Sequence, residues 1–196
     1  MRLFVDTNIV LDYLDERPGY VGPARKLMIL GFLHEFDLWM SASQTTDLFY
    51  LLTNGGRASE ATEVKRTMQR ARQFIRVCSL NEADVDAALD STWNDFEDAC
   101  VYQCALKLKA DAIITRNRKD FEKSSIRVLD CEELFDYLAE EKGLVYEEIP
   151  FLRLRSWAVH LRVVIPQWSW CNAGRRSAVV ASQETGNRLR PSSSAS

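Results

Sequence analysis

The chain has 196 residues, 46% of them hydrophobic and 27% charged, with a formal net charge of −3. This suits one ordinary domain with an appendage and excludes a disordered or fibrous chain. No apolar run approaches the roughly 20 residues of a membrane helix, and the sequence opens on a strand-like run, so neither a membrane span nor a signal peptide is expected. Cys78, Cys100, Cys104, Cys131 and Cys171 form no C-x-x-C pair, and their neighbours are mostly apolar. They read as buried thiols of a reducing cytoplasm rather than a zinc site.

Leu3-Phe4-Val5 runs directly into Asp6-Thr7-Asn8. This predicts a short buried strand that ends in an acid, followed by a helix over Ile9–Asp15 capped by Asn8. Arg17–Pro23, with two glycines and two prolines, reads as a loop. Ala24–Glu35 reads as a helix, with His34 on its core-facing side. Asp37–Ser41 reads as a second strand. Ser43 is expected to cap the next helix, which carries Asp47 and stops at Asn54-Gly55-Gly56. Ser59–Phe74 reads as a long basic helix and Ile75–Ser79 as a third strand. Asn81 caps a helix running to Asp90.

Asn94-Asp95-Phe96-Glu97-Asp98 then opens a helix to Lys109 with acids in its first turns. Ala112–Thr115 is a fully buried fourth strand, Arg116–Phe121 the loop at its carboxyl end, and Ile126–Leu129 a fifth strand. Asp130 and Glu133 form a capping box on the last helix, which ends by Lys142-Gly143. Strands and helices that alternate in this way predict an α/β fold with a parallel sheet of about five strands, covered on both faces.

Residues 1–145 read as this domain, and residues 146–196 as a basic, Trp-containing tail. From Phe151 onward the chain has seven Arg, no Lys and one Glu, net +6 against −9 before it. The tail is expected to be poorly ordered, or else to be foreign to the natural protein.

The acids carry the chemistry. Asp6, Asp47, Asp95, Asp98 and Asp120 fall at strand ends or first helical turns. In a parallel sheet those positions share one edge, where ligands bind. Singly, each has a plain explanation as a helix cap, a dipole partner or a turn acid. Together they form an oxygen donor set suited to a hard divalent cation. Such an ion activates water for attack on a phosphodiester and steadies the leaving oxygen. The two histidines, His34 and His160, offer no general base. Arg116, Arg118, Lys119 and Lys123 lie beside the proposed site and can meet phosphates. A second stripe, Arg57, Lys65, Arg66, Arg70 and Arg72, reads as a solvated helix face.

Val5-Asp6-Thr7-Asn8, Asp47-Leu48-Phe49-Tyr50-Leu51-Leu52, Asp95-Phe96-Glu97-Asp98-Ala99 and Thr115-Arg116-Asn117-Arg118-Lys119-Asp120-Phe121 together resemble the PIN domain, in the branch that contains VapC-like toxin ribonucleases. The resemblance covers about residues 1–140. It implies a three-layer sandwich and a magnesium- or manganese-dependent endoribonuclease. Asp6 and Asp98 would be metal ligands, with Asp95 and Asn117 auxiliary and Asp47 and Asp120 also catalytic. Thr7, Asn8 and Thr115 would orient ligands or water. Asp47 stands where the family usually has Glu, and Asn117 where it often has Asp, so a weakened, RNA-binding module is the alternative. The resemblance further implies RNA as substrate, an antitoxin that lays a segment near the early helices and a basic side chain among the acids, and a homodimer. A phospho-acceptor receiver domain and a haloacid-dehalogenase-like phosphatase fit less well, since Asp6 has neither an adjacent acid nor an Asp two positions on.

Overall fold

The computed structural model describes residues 1–146. The expected basic tail, apart from Tyr146, lies outside them. Five strands form one sheet, entirely parallel, in the order β3-β2-β1-β4-β5. They are β1 (Arg2–Val5), β2 (Asp37–Ser41), β3 (Ile75–Cys78), β4 (Ala112–Ile114) and β5 (Arg127–Leu129). Seven α-helices are described: α1 (Thr7–Leu14), α2 (Val21–Phe32), α3 (Ala42–Leu52), α4 (Ala61–Ala71), α5 (Glu82–Leu89), α6 (Phe96–Lys107) and α7 (Cys131–Lys142). The strand order differs from the 2-1-3-4-5 of receiver domains.

Side chains that alternate along the strands build two cores. Leu3, Val5, Leu38, Met40, Ala112 and Ile114 face one side, where α1, α2, α3 and α7 contribute residues such as Ile9, Leu27, Leu48 and Leu134. Phe4 and Ile113 face the other, with Val101, Cys104 and Ala105 of α6 and with Phe121. The same alternation carries Asp6 and Thr115, one step past the strand ends, onto the side of α6. From β1 the chain builds outward through β2 and β3, then returns to add β4 and β5 on the other side. The order therefore reverses between β1 and β4, which is the crevice where ligands bind in open α/β sheets.

Local chemistry moves several boundaries. Asp6, not Asn8, caps α1: its backbone is extended and its side chain accepts from the Thr7 N–H. Ser41, not Ser43, caps α3, in a capping box with Gln44. Helix α2 starts at Val21, so Gly22 and Pro23 belong to its first turn. Proline is tolerated there because those N–H groups have no intrahelical partner. Helix α4 is shorter than expected at both ends. His34 is exposed just beyond α2 at φ +61°, not on a core-facing helix.

Gly31 of α2 shows how tightly the first core is packed. A Cβ there would stand 2.2 Å from Leu38 Cδ1 and 2.7 Å from Cγ, and Leu38 is fully buried with nowhere to retreat. Gly31→Ala is expected to destabilise the protein by about 1–3 kcal/mol, as overpacked cores do. Thermal melts check this, and Gly31→Ala/Leu38→Val should recover part of the loss.

Candidate active site

The switch point is built around Asp6. Its N–H continues the ladder to Ile114 O at 2.9 Å, and the residue is only 8% exposed. A buried carboxylate must be satisfied, and three donors do this. Thr7 N–H bonds Oδ1 at 2.6 Å, while Asn8 Nδ2 and the Thr115 hydroxyl each bond Oδ2 at 2.6 Å. Asn8 Nδ2 also reaches Thr115 Oγ1 at 3.1 Å, and Asn8 Oδ1 accepts from Arg116 N–H at 3.3 Å. Both Oδ2 lone pairs are thus taken, and Oδ1 keeps one. Burial raises the Asp6 pKa and Asp120 adds to the rise; the Thr115 and Thr7 bonds and the Arg116 charge oppose it.

The second wall is the start of α6. Asp95 caps it, its Oδ1 accepting from Glu97 N–H at 2.7 Å and Asp98 N–H at 3.3 Å. Asp98, half-buried at the third helical position, has its pKa pushed up to about 7. Burial is the largest cause, followed by the charges of Asp6, Asp95, Asp120 and Glu97. Glu97 is raised too, by burial and then by Asp47, Asp6 and Asp95. The fold therefore brings Asp6, Asp95, Asp98 and Asp120 within electrostatic reach of one another, and Asp47 joins through Glu97. Helix phasing alone hides Glu97, because it points about 100° away from Asp98 on a straight helix.

Other expected residues are placed as follows. Thr7 is buried, and its hydroxyl has no hydrogen-bond partner among the described residues. Asn117 is exposed, and its N–H bonds Thr115 Oγ1 at 3.0 Å. It precedes a short 3-10 helix, Arg118–Phe121, in which Arg118, Lys119 and Asp120 are exposed. Arg118 pairs with Glu133, and Lys123 donates to Thr92 O. Arg116, expected to meet phosphate, instead sets its guanidinium against buried Asp12 and over the Tyr20 ring. In the second basic stripe, Arg57 and Arg66 pair with Glu60 and Glu63. Gln44, unnoticed in sequence, is fully buried; its Nε2 donates to Val5 O at 3.3 Å and ties α3 to the end of β1.

The donors facing this crevice are oxygens, the set that suits magnesium or manganese. An orphaned hydroxyl on Thr7 and a spare lone pair on Asp6 fit such an ion or its water. Among the described residues, no three His, Cys, Asp or Glu side chains stand close enough together to hold an ion as they are.

An all-parallel sheet with carboxylates gathered at its switch point defines a doubly wound α/β protein with an acid-lined crevice. Residues 2–119, more than half the sequence, match the family model of the PIN domain, and the chain belongs to that family. It is 27% identical over 138 residues to Ribonuclease VapC1 of Aquifex aeolicus (strain VF5), spanning 67% of this chain and 92% of that protein. The crystal structure of FitAcB from Neisseria gonorrhoeae superposes with a TM-score of 0.54 at 13% identity, covering 66% of this chain and 98% of that one. VapBC2 from Rickettsia felis, bound to a DNA fragment from its promoter, gives a TM-score of 0.50 at 14% identity, covering 66% and 98%. At such identities the structures speak for the fold, a PIN-like three-layer sandwich.

Proposed function

We propose that the chain is a metal-dependent endoribonuclease that cleaves RNA phosphodiesters, the toxin of a toxin–antitoxin pair. Membership of the PIN domain family and the likeness to a VapC ribonuclease support the activity class. The observation that carries the chemistry is the gathering of Asp6, at the end of β1, with Asp95 and Asp98, at the start of α6, on one edge of the sheet; burial and then these neighbours push the Asp98 carboxyl up to about 7. A magnesium or manganese ion would relieve that repulsion. Asp6 and Asp98 would hold it, with Asp95 and Asn117 beside them and Asp47 and Asp120 shaping the field. When bound, it would activate water and stabilise charge developing at phosphorus. The protein's own part is to fix Asp6 at the β1–β4 crevice through Thr7, Asn8 and Thr115. Lys119, exposed on the 3-10 helix, would meet RNA phosphate, and Arg118 would join it by exchanging Glu133 for phosphate.

The likeness to the VapBC2 complex of Rickettsia felis supports an antitoxin as partner; a homodimer and a cytoplasmic place of action complete the reading. No helix among the described residues is long and apolar enough to cross a membrane. Structured RNA incubated with magnesium or manganese should be cut, and EDTA should abolish cutting until metal is restored. Asp98→Asn is expected to remove activity in either metal, and unchanged cleavage would end this reading. Co-expression with the adjacent gene product and a pull-down test the partner. Asn117, neutral and exposed, supports a second reading as a weakened RNA-binding module. Calorimetry showing no magnesium or manganese binding at millimolar concentration would favour it.

A further inference from the structure

We propose that the Asp12–Arg116 ion pair is the positioning element of this site, clamping the segment after β4 to α1. The inference rests on the reading of the Asp6 crevice as the ribonuclease centre. Asp12 is only 1% exposed, among the buried residues of α1. A buried carboxylate without compensation is strongly unfavourable. Its compensation is Arg116, whose Nε stands 2.9 Å from Asp12 Oδ2, with Arg17 further off at 3.9 Å. The Arg116 contact is one of charge, not a well-angled hydrogen bond, since neither Asp12 oxygen nor Arg116 Nε has a hydrogen-bond partner among the described residues. The guanidinium also stacks on Tyr20, its Cζ 4.3 Å from the ring centroid.

What the pair orients is clear from its neighbours. Asn8 and Asp12 are four apart, one turn along the same face of α1. Asn8 Oδ1 takes the Arg116 N–H, and Asp12 takes its side chain, so α1 grips one residue by main chain and side chain together. Arg116 lies between Thr115, whose hydroxyl bonds Asp6, and Asn117, whose N–H bonds Thr115 Oγ1. The Asp120 N–H in turn bonds Asn117 O at 3.0 Å. Rotation of Arg116 would therefore displace Thr115, Asn117 and Asp120 as a unit. A buried pair of this kind adds little net stability over an apolar substitute, so its worth lies in fixing geometry. The charge of Arg116 is committed to Asp12 and is not available to phosphate.

Four variants test the clamp: Arg116→Gln, Arg116→Lys, Asp12→Asn and the double variant Asp12→Asn/Arg116→Gln. Two readouts are used, steady-state cleavage of structured RNA at saturating magnesium and amide exchange of the metal-free protein. Arg116→Gln and Asp12→Asn should each lower kcat about tenfold or more while KM stays within about twofold, the pattern of lost positioning rather than lost binding. The double variant should be no worse than the singles by more than about twofold, because both break one pair. Arg116→Lys, which keeps the charge without the planar fork, should recover part of kcat. Peptides covering 115–121 should exchange faster in Arg116→Gln and Asp12→Asn, while β1 and α7 keep wild-type rates. The proposal falls if Arg116→Gln raises KM and flattens the salt dependence of RNA binding by about one unit while Asp12→Asn behaves as wild type. It falls equally if residues 115–121 exchange at the wild-type rate in both Arg116 variants. Should Asp12→Asn not fold, the two Arg116 variants supply both readouts. If the wild type cuts no RNA, the ribonuclease reading fails, and amide exchange alone decides the clamp.

Discussion

Asp6→Asn is expected to lower RNA cleavage about a thousandfold, ~4 kcal/mol of barrier, with KM for RNA little changed. The substitution keeps the shape of the side chain and removes its charge. Three donors converge on the two oxygens of Asp6, from Thr7, Asn8 and Thr115. Asparagine can accept at one position only, so a donor then faces a donor at the other. Against that loss stands the relief of desolvating a charge whose pKa burial already raises. The two effects oppose, and stability is expected to stay within about 1 kcal/mol of wild type. Thermal melts beside the rate measurement separate a lost ligand from a lost fold. Thr115→Val makes a graded control. It deletes one donor to Oδ2 and should cost about tenfold to a hundredfold, the usual range for a group that orients a metal ligand. A fully active Asp6→Asn would remove the carboxylate from the reaction.

The fold was legible where burial dictates sequence. Leu3-Phe4-Val5 and Ala112-Ile113-Ile114 are apolar without interruption because both faces of the central strands are covered. The acids that follow them are then visible as residues at strand ends. Boundaries set by local hydrogen bonding were less legible. Asp6 and Asn8 are equally good caps by type, and only the extended backbone at Asp6 chooses between them. Ser41 was more readable than Ser43: Ser41-x-x-Gln44 is a capping box, whereas Ser43 has Thr46 three residues on. At the site, the role of Glu97 depends on the approach of Asp47 from α3, a long-range relation that no local pattern encodes. Arg116 misleads for a similar reason. A basic residue in a loop beside acids looks like a phosphate ligand until Asp12 is seen to be buried beneath it. The spacing of Asp12 from Asn8, one turn along the same face of α1, was the signal available.

The metal-free protein is expected to lose stability as pH rises from about 4 toward 7, and to regain it above 7 only when magnesium or manganese is added. The sign follows from Asp98. Its pKa in the folded state is about 7, against about 4 for an unperturbed Asp in the unfolded chain. Between those values the folded state binds the extra proton, so unfolding becomes easier as pH increases, and the effect levels off above the folded pKa. The step is broad, since Glu97 and Asp6 are raised in the same direction. Asp98→Asn removes this contribution and should melt above wild type at pH 8, with the gap closing near pH 4. On the metal-dependent reading a divalent cation should reverse the order, because it would bind only the folded wild-type site and stabilise it by mass action. The proton and the cation would then compete for one carboxylate. Apparent metal affinity should therefore fall by up to about tenfold per pH unit below 7 and be flat above it. RNA cleavage at subsaturating metal should follow the same limb. Melts across pH 4–9 with EDTA or manganese, beside manganese titrations at pH 6 and 8, test both halves. Equal affinity at the two pH values would take Asp98 out of the coordination.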